Sequence, residues 1–140
     1  MSTPFEVLLI EDDPVDARIV KEFLKESNAG KFNITHVKLL REGEGEIAKK
    51  EFDVVILDLA LPDCIGLSTF TKLRENSPQL PIIILTGSTM DRTSFRQCKE
   101  GAEGYYVKGH LDSDSLIKTI QDVIKCSQAR KRLQAHFVSS

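Results

Sequence analysis

The sequence predicts an α/β fold, a doubly wound five-stranded parallel sheet with five helices, on three observations. Val54–Leu57 and Ile82–Leu85 are unbroken apolar runs rich in β-branched residues, with no polar alternation. Such runs suit strands covered on both faces, as in the centre of a parallel sheet. Stretches with helical periodicity lie between the candidate strands, the alternation expected of repeated βαβ units. The 140 residues are enough for one domain with a proper core, and five strands and five helices fit that length.

Val7–Ile10 is the first strand candidate, bounded by Glu11, Asp12 and Asp13. Asp13 is placed to cap a helix whose first turn accepts Pro14. Val15, Ile19, Val20, Phe23 and Leu24 recur at helical spacing and are expected to form its apolar face, with Asn28 and Gly30 ending it. Residues 33–38 form a second strand candidate. Residues 43–50 give the weakest element, a helix with two glycines and only Ile47 and Ala48 to bury. The central strand ends at Asp58, and Pro62 and Gly66 mark a loop. Leu67, Phe70 and Leu73 support a helix ending near Asn76. After the Ile82–Leu85 run, which ends at Thr86-Gly87, Phe95, Cys98 and Ala102 indicate a helix stopping around Gly101. Tyr105–Val107 is a short last strand that ends at Lys108. Leu116, Ile117, Ile120, Val123 and Ile124 then make the clearest amphipathic pattern in the chain.

The composition is 41% hydrophobic and 29% charged, with a formal net charge of −2, which gives no case for a nucleic-acid or membrane surface. No apolar run approaches the ~20 residues that span a bilayer. The N-terminus lacks the basic region of a signal peptide. Cys64, Cys98 and Cys126 are too few and too scattered for a disulfide framework or a zinc site, so a reducing cytoplasm is expected.

Chemistry concentrates where the apolar strands stop: Glu11 and Asp12, then Asp58, Thr86 and Lys108. Right-handed crossovers would bring the C-terminal ends of all the strands to one edge, where open α/β sheets hold their ligands. Carboxylates gathered there repel one another, and burial raises their pKa values. A hard divalent cation such as Mg²⁺ resolves that conflict and keeps open positions for water and phosphate. With a hydroxyl and an ammonium group alongside, the set has the parts for phosphoryl transfer: a nucleophilic carboxylate, a metal and a cation.

Over residues 5–125 the chain resembles the response-regulator receiver domain of two-component signalling. The resemblance rests on LLIEDDP with the pair Glu11-Asp12, VVILDLALPDCIGL with Asp58, PIIILTG with Thr86, and GAEGYYVK with Tyr105 and Lys108. It implies a flavodoxin-like receiver fold in which Asp58 accepts a phosphoryl group from a sensor histidine kinase or phosphotransfer protein. It implies Mg²⁺ ligation by Asp12, Asp58 and the Ala60 carbonyl, with Glu11 acting mainly through water. Lys108 would pair with the phosphoryl oxygens. Thr86 would hydrogen-bond them, and Tyr105 would rotate inward, altering the face of the last two helices and last strand. The chain would then be a signalling phosphoacceptor, promoting its own phosphorylation and dephosphorylation, rather than an enzyme proper.

One departure is Gly109, where the family usually has a proline after the lysine, commonly joined by a cis bond. Non-proline cis bonds cost ~3 kcal/mol, so a trans Lys108–Gly109 bond is expected. An aspartyl phosphatase of the haloacid-dehalogenase type would want a second Asp two residues after the nucleophile, and that position is Ala60. The other alternative is a phosphorylation-independent pseudo-receiver. Residues 1–125 are expected to be the receiver and 126–140 a C-terminal helical extension or tail. The core-facing stripe stops near 124, and a weaker one of Cys126, Ala129, Leu133 and Phe137 starts on another face, suited to self-association or a downstream domain.

Overall fold

The computed structural model describes residues 4–27, 31–87 and 91–139. The chain runs β1 (Phe5–Ile10), α1 (Pro14–Glu26), β2 (Phe32–Val37), α2 (Leu40–Lys49), β3 (Val54–Asp58), β4 (Ala60–Leu61), β5 (Cys64–Ile65), α3 (Leu67–Asn76), β6 (Ile82–Thr86), α4 (Arg92–Gly101), β7 (Gly104–Val107) and α5 (Ser113–Ser139). The main sheet has the order β2-β1-β3-β6-β7 and every pairing in it is parallel. This is the doubly wound sheet that the apolar runs predict. The central strands β3 and β6 are buried at every position.

Strand geometry divides the core in two. Side chains alternate between faces, so Val7, Leu9, Val54, Ile56, Ile83 and Leu85 point to one side, against Ala17, Val20 and Leu24 of α1 and Leu116, Ile117, Ile120 and Ile124 of α5. Leu8, Ile10, Val55, Leu57, Ile82 and Ile84 point to the other, against Leu40 of α2, Phe70 and Leu73 of α3, and Cys98 of α4. Burying each of the Val, Leu, Ile and Phe side chains contributes roughly 1.5–3 kcal/mol.

Two expectations need correction. The apolar face of α1 keeps Val20, Phe23 and Leu24 of the expected set but not the other two: Val15 is 65% and Ile19 38% exposed, and Ala17 is buried instead. The helix axis is rotated so that the smaller residue meets the sheet. The weak second helix begins earlier, at Leu40, and buries Leu40 and Gly43. A Cβ at Gly43 would stand 2.3 Å from Ile10 Cδ1, so glycine there permits close packing of α2 on β1. The expected stop at Asn28 and Gly30 lies outside the described residues.

Helix α2 also takes its N-terminal satisfaction from elsewhere. Leu39 offers no capping side chain. Instead Glu42 accepts the Lys38 and Leu39 N–H groups at 3.2 Å each. Asp63, in the turn between β4 and β5, accepts those of Leu40 and Arg41 at 2.9 and 3.0 Å. The free N–H groups of a helix start are met by a loop 22 and 23 residues downstream. Helix α5 runs unbroken through residue 139, well past Ile124, the last buried residue among those described. Cys126, Ala129 and Leu133 are exposed along it. No helix among the described residues is long and apolar enough to cross a membrane.

Candidate functional site

Register explains how residues far apart in sequence meet. Ile10 pairs with both Val37 and Leu57, Asp58 with Leu85, and Thr86 with Val107. Glu11 N–H bonds Val37 O at 3.0 Å, and Lys108 N–H bonds Thr86 O at 2.8 Å, so each strand delivers its last polar residue to the same edge. Glu11, Asp58 and Thr86 are buried there. The structure thus brings together Glu11, Asp12, Asp58 and Lys108. Oxygens of the three carboxylates lie within 4.8 Å of one another.

Asp58 is held at both oxygens. Its Oδ1 accepts the Ala60 N–H at 3.1 Å, and its Oδ2 accepts from Lys108 Nζ at 3.2 Å. Lys108 Nζ is also 2.7 Å from Glu11 Oε1 and 2.9 Å from Asp16 Oδ2. Asp13 does what its position predicts: its Oδ1 accepts the N–H groups of Val15 and Asp16, capping α1. Its own N–H donates to Glu11 Oε2 at 3.1 Å. His36 Nε2 lies 2.8 Å from the Glu11 carbonyl oxygen, fixing the edge from the β2 side.

Charge does not balance at this edge. One ammonium faces Glu11, Asp16 and Asp58, with Asp12 nearby. Burial, and then the Asp58 carboxylate beside it, push the Glu11 carboxyl from 4.5 up to about 8, against the pull of Lys108. Burial works against the charge of Lys108, but Glu11 and Asp16 outweigh it and hold the ammonium above the usual lysine range. Glu11 Oε1, although close to Lys108, is buried without a hydrogen-bond partner of good geometry. An unsatisfied buried carboxylate oxygen within a three-carboxylate group fits a hard, oxygen-seeking cation. The group could hold a metal ion.

Farther along the edge, Tyr105 is half-buried, its ring packed edge-on against Phe95 of α4 with centroids 5.1 Å apart. Burial raises the Tyr105 hydroxyl pKa. No cis peptide bond occurs among the described residues, so Lys108–Gly109 is trans as expected. Gly109 has φ +89°, a conformation in which glycine replaces the usual proline without strain. Sequence reasoning missed Asp16 as a partner of Lys108. An acid in a helix's first turn reads as a partner of the helix dipole, and only the fold shows it facing the lysine.

The family described as the response regulator receiver domain matches residues 7–121. The chain belongs to this family. Among curated relatives of this receiver, the cell cycle transcriptional regulator CtrA of Caulobacter vibrioides is 34% identical over 122 residues, covering 87% of this chain and 51% of the relative. The cell cycle response regulator CtrA of Brucella ovis is 33% identical over the same length and coverage. The chain therefore spans about half the length of the curated relatives it matches. A CheY-like response regulator receiver domain protein from Methanospirillum hungatei superposes with a TM-score of 0.77 at 20% identity, covering 91% of this chain and 99% of that one. A receiver domain from Clostridium thermocellum gives 0.74 at 25% identity, covering 93% and 98%. The receiver is a signalling module.

Proposed function

We propose that this receiver takes a phosphoryl group onto Asp58 from a phosphohistidine of a sensor kinase or phosphotransfer protein. The observation that carries the proposal is the Asp58 side chain, buried at a central strand end. One of its oxygens is fixed by the Ala60 N–H and the other by Lys108 Nζ. In the step, an Asp58 oxygen forms a bond to phosphorus while the phosphorus–nitrogen bond breaks. The imidazole leaves with the electron pair. Lys108 offsets charge on the transferred oxygens, which is where preorganised cations lower the barrier.

Mg²⁺ would be held by Asp12, Asp58 and the Ala60 carbonyl, with Glu11 through water. When bound, it neutralises the crowded carboxylates and the incoming phosphoryl group. Thr86, buried at the end of β6, would donate to a phosphoryl oxygen, and Tyr105 would follow it inward from its place against Phe95. New phosphoryl contacts made only in the rearranged state shift the population toward that state. The altered face is built from α4, β7 and α5. The extension of α5 past Ile124 presents Cys126, Ala129 and Leu133 for a second copy or a downstream domain.

The test is incubation with acetyl phosphate and Mg²⁺ followed by intact mass measurement. The wild type gains one phosphoryl group and Asp58→Asn none. Undiminished incorporation in Asp58→Asn would overturn the assignment.

A further inference from the structure

Lys108 Nζ is gripped from three elements at once: by Glu11 at the end of β1, by Asp58 at the end of β3, and by Asp16 in α1. Two of those partners belong to the acidic group that could hold a cation. Asp16 does not. Its place is nonetheless fixed. Asp13 caps the helix and accepts the Asp16 N–H at 3.2 Å, which anchors the backbone there. The Cα–Cβ bonds of a helix lean toward its N-terminus, and for α1 that direction is back over the sheet edge. The Asp16 carboxylate therefore reaches Lys108 at 2.9 Å while staying 29% exposed.

An ammonium has three N–H groups, and three carboxylates surround this one. A phosphoryl group on Asp58 brings further anionic oxygens that compete for the same donors. Glu11 and Asp58 have other roles at the edge, so the partner Lys108 can give up is Asp16. We infer that Asp16 is a positioning residue that acts through Lys108, occupying an ammonium donor that the phosphoryl oxygens would otherwise take and so slowing phosphorylation of Asp58. This rests on the phosphoacceptor reading above. Both consequences of removing the Asp16 charge point the same way. A Lys108 donor is freed for the phosphoryl oxygens, and an anionic phosphodonor meets one negative charge fewer on its approach.

The step measured is attack of an Asp58 oxygen on the phosphorus of acetyl phosphate. The bond from phosphorus to the acetate oxygen breaks, and acetate departs with the electron pair. Initial rates in Mg²⁺ are followed by intact mass for the wild type, Asp16→Asn, Lys108→Ala and the double variant. Asp16→Asn keeps the size of the side chain and removes its charge. For a partly exposed ion pair the expected acceleration is about three- to fivefold. In the Lys108→Ala background the same substitution is expected to accelerate the reaction much less, because the residue through which Asp16 acts is gone and only the lighter charge on the donor's approach remains. Asp16→Glu, which restores the charge, returns the rate toward that of the wild type. Beryllofluoride affinity in Mg²⁺ follows the same cycle without a covalent step, and remains measurable where Lys108→Ala phosphorylates slowly. Where the wild type does gain phosphoryl mass, an Asp16→Asn rate equal to or below the wild-type rate overturns the inference alone. So does an equal acceleration with Lys108 absent. A wild type that gains no phosphoryl mass and binds no beryllofluoride overturns the phosphoacceptor reading, and this one with it.

Discussion

Without divalent cation, the receiver should lose stability as pH rises from 5.5 to 7.5. Glu11 is fully buried, and its carboxyl is raised from 4.5 to about 8 in the folded chain. A group whose folded pKa lies above its unfolded value contributes stability that is complete below the unfolded pKa and is lost as pH climbs to the folded one. The window is therefore about pH 4.5 to 8. Within it the unfolded chain has released a proton that the native one retains. The loss between 5.5 and 7.5 is on the order of 3 kcal/mol. For a domain of this size that is roughly 8 °C in Tm. Other shifted groups act outside this range. Glu6, Asp63 and Asp91 have carboxyls held below their usual values and finish ionising beneath it, while Lys108 stays charged throughout. The assay is urea or thermal unfolding in chelator at both pH values, repeated with Mg²⁺ and with Glu11→Gln. Mg²⁺ should stabilise the protein more at 7.5 than at 5.5, since its binding favours the ionised carboxylate, and Glu11→Gln should flatten the Mg²⁺-free profile. Mg²⁺-free stability that is level or rises across the interval would refute the reasoning.

Four further outcomes are expected. Asp12→Ala should weaken Mg²⁺ binding far more than Asp13→Ala, as measured by titration calorimetry. Asp13→Ala should instead lower the stability of the fold by about 1 kcal/mol through loss of the α1 cap. Gly43→Ala should cost about 1–3 kcal/mol in urea unfolding, because its Cβ meets Ile10 where α2 crosses β1. Asp63→Ala should cost about 1 kcal/mol on the same assay while leaving the carboxylates of the site in place.

The sheet was readable because central parallel strands bury both faces and so carry no polar interruption, as in Val54–Leu57 and Ile82–Leu85. The site was readable for a related reason: each apolar run stops at a polar residue, and parallel topology brings those stops to one edge. Helix faces were less legible. Val15, Ile19, Val20, Phe23 and Leu24 fit a helical period, but period alone does not say which part of a broad arc meets the sheet. Ala17 is buried there while Val15 is exposed. Gly43 was read as a weakness of the second helix, whereas its missing side chain is what lets that helix approach Ile10. Asp16 and Asp63 act on groups remote in sequence, Lys108 for one and the start of α2 for the other. No local pattern encodes partners of that kind.

The Asp63 contact reaches beyond stability. Its carboxylate leaves the loop that follows Asp58 and closes on the Leu40 and Arg41 amides, so those two protons are sealed by a segment outside their own helix. Their hydrogen exchange with solvent then records how often the loop lifts as well as how often the start of α2 frays. Any event at Asp58 that tightens or loosens the loop is written into two resonances on a neighbouring helix. The protein thus carries a native spectroscopic clock for its own site, readable without a label.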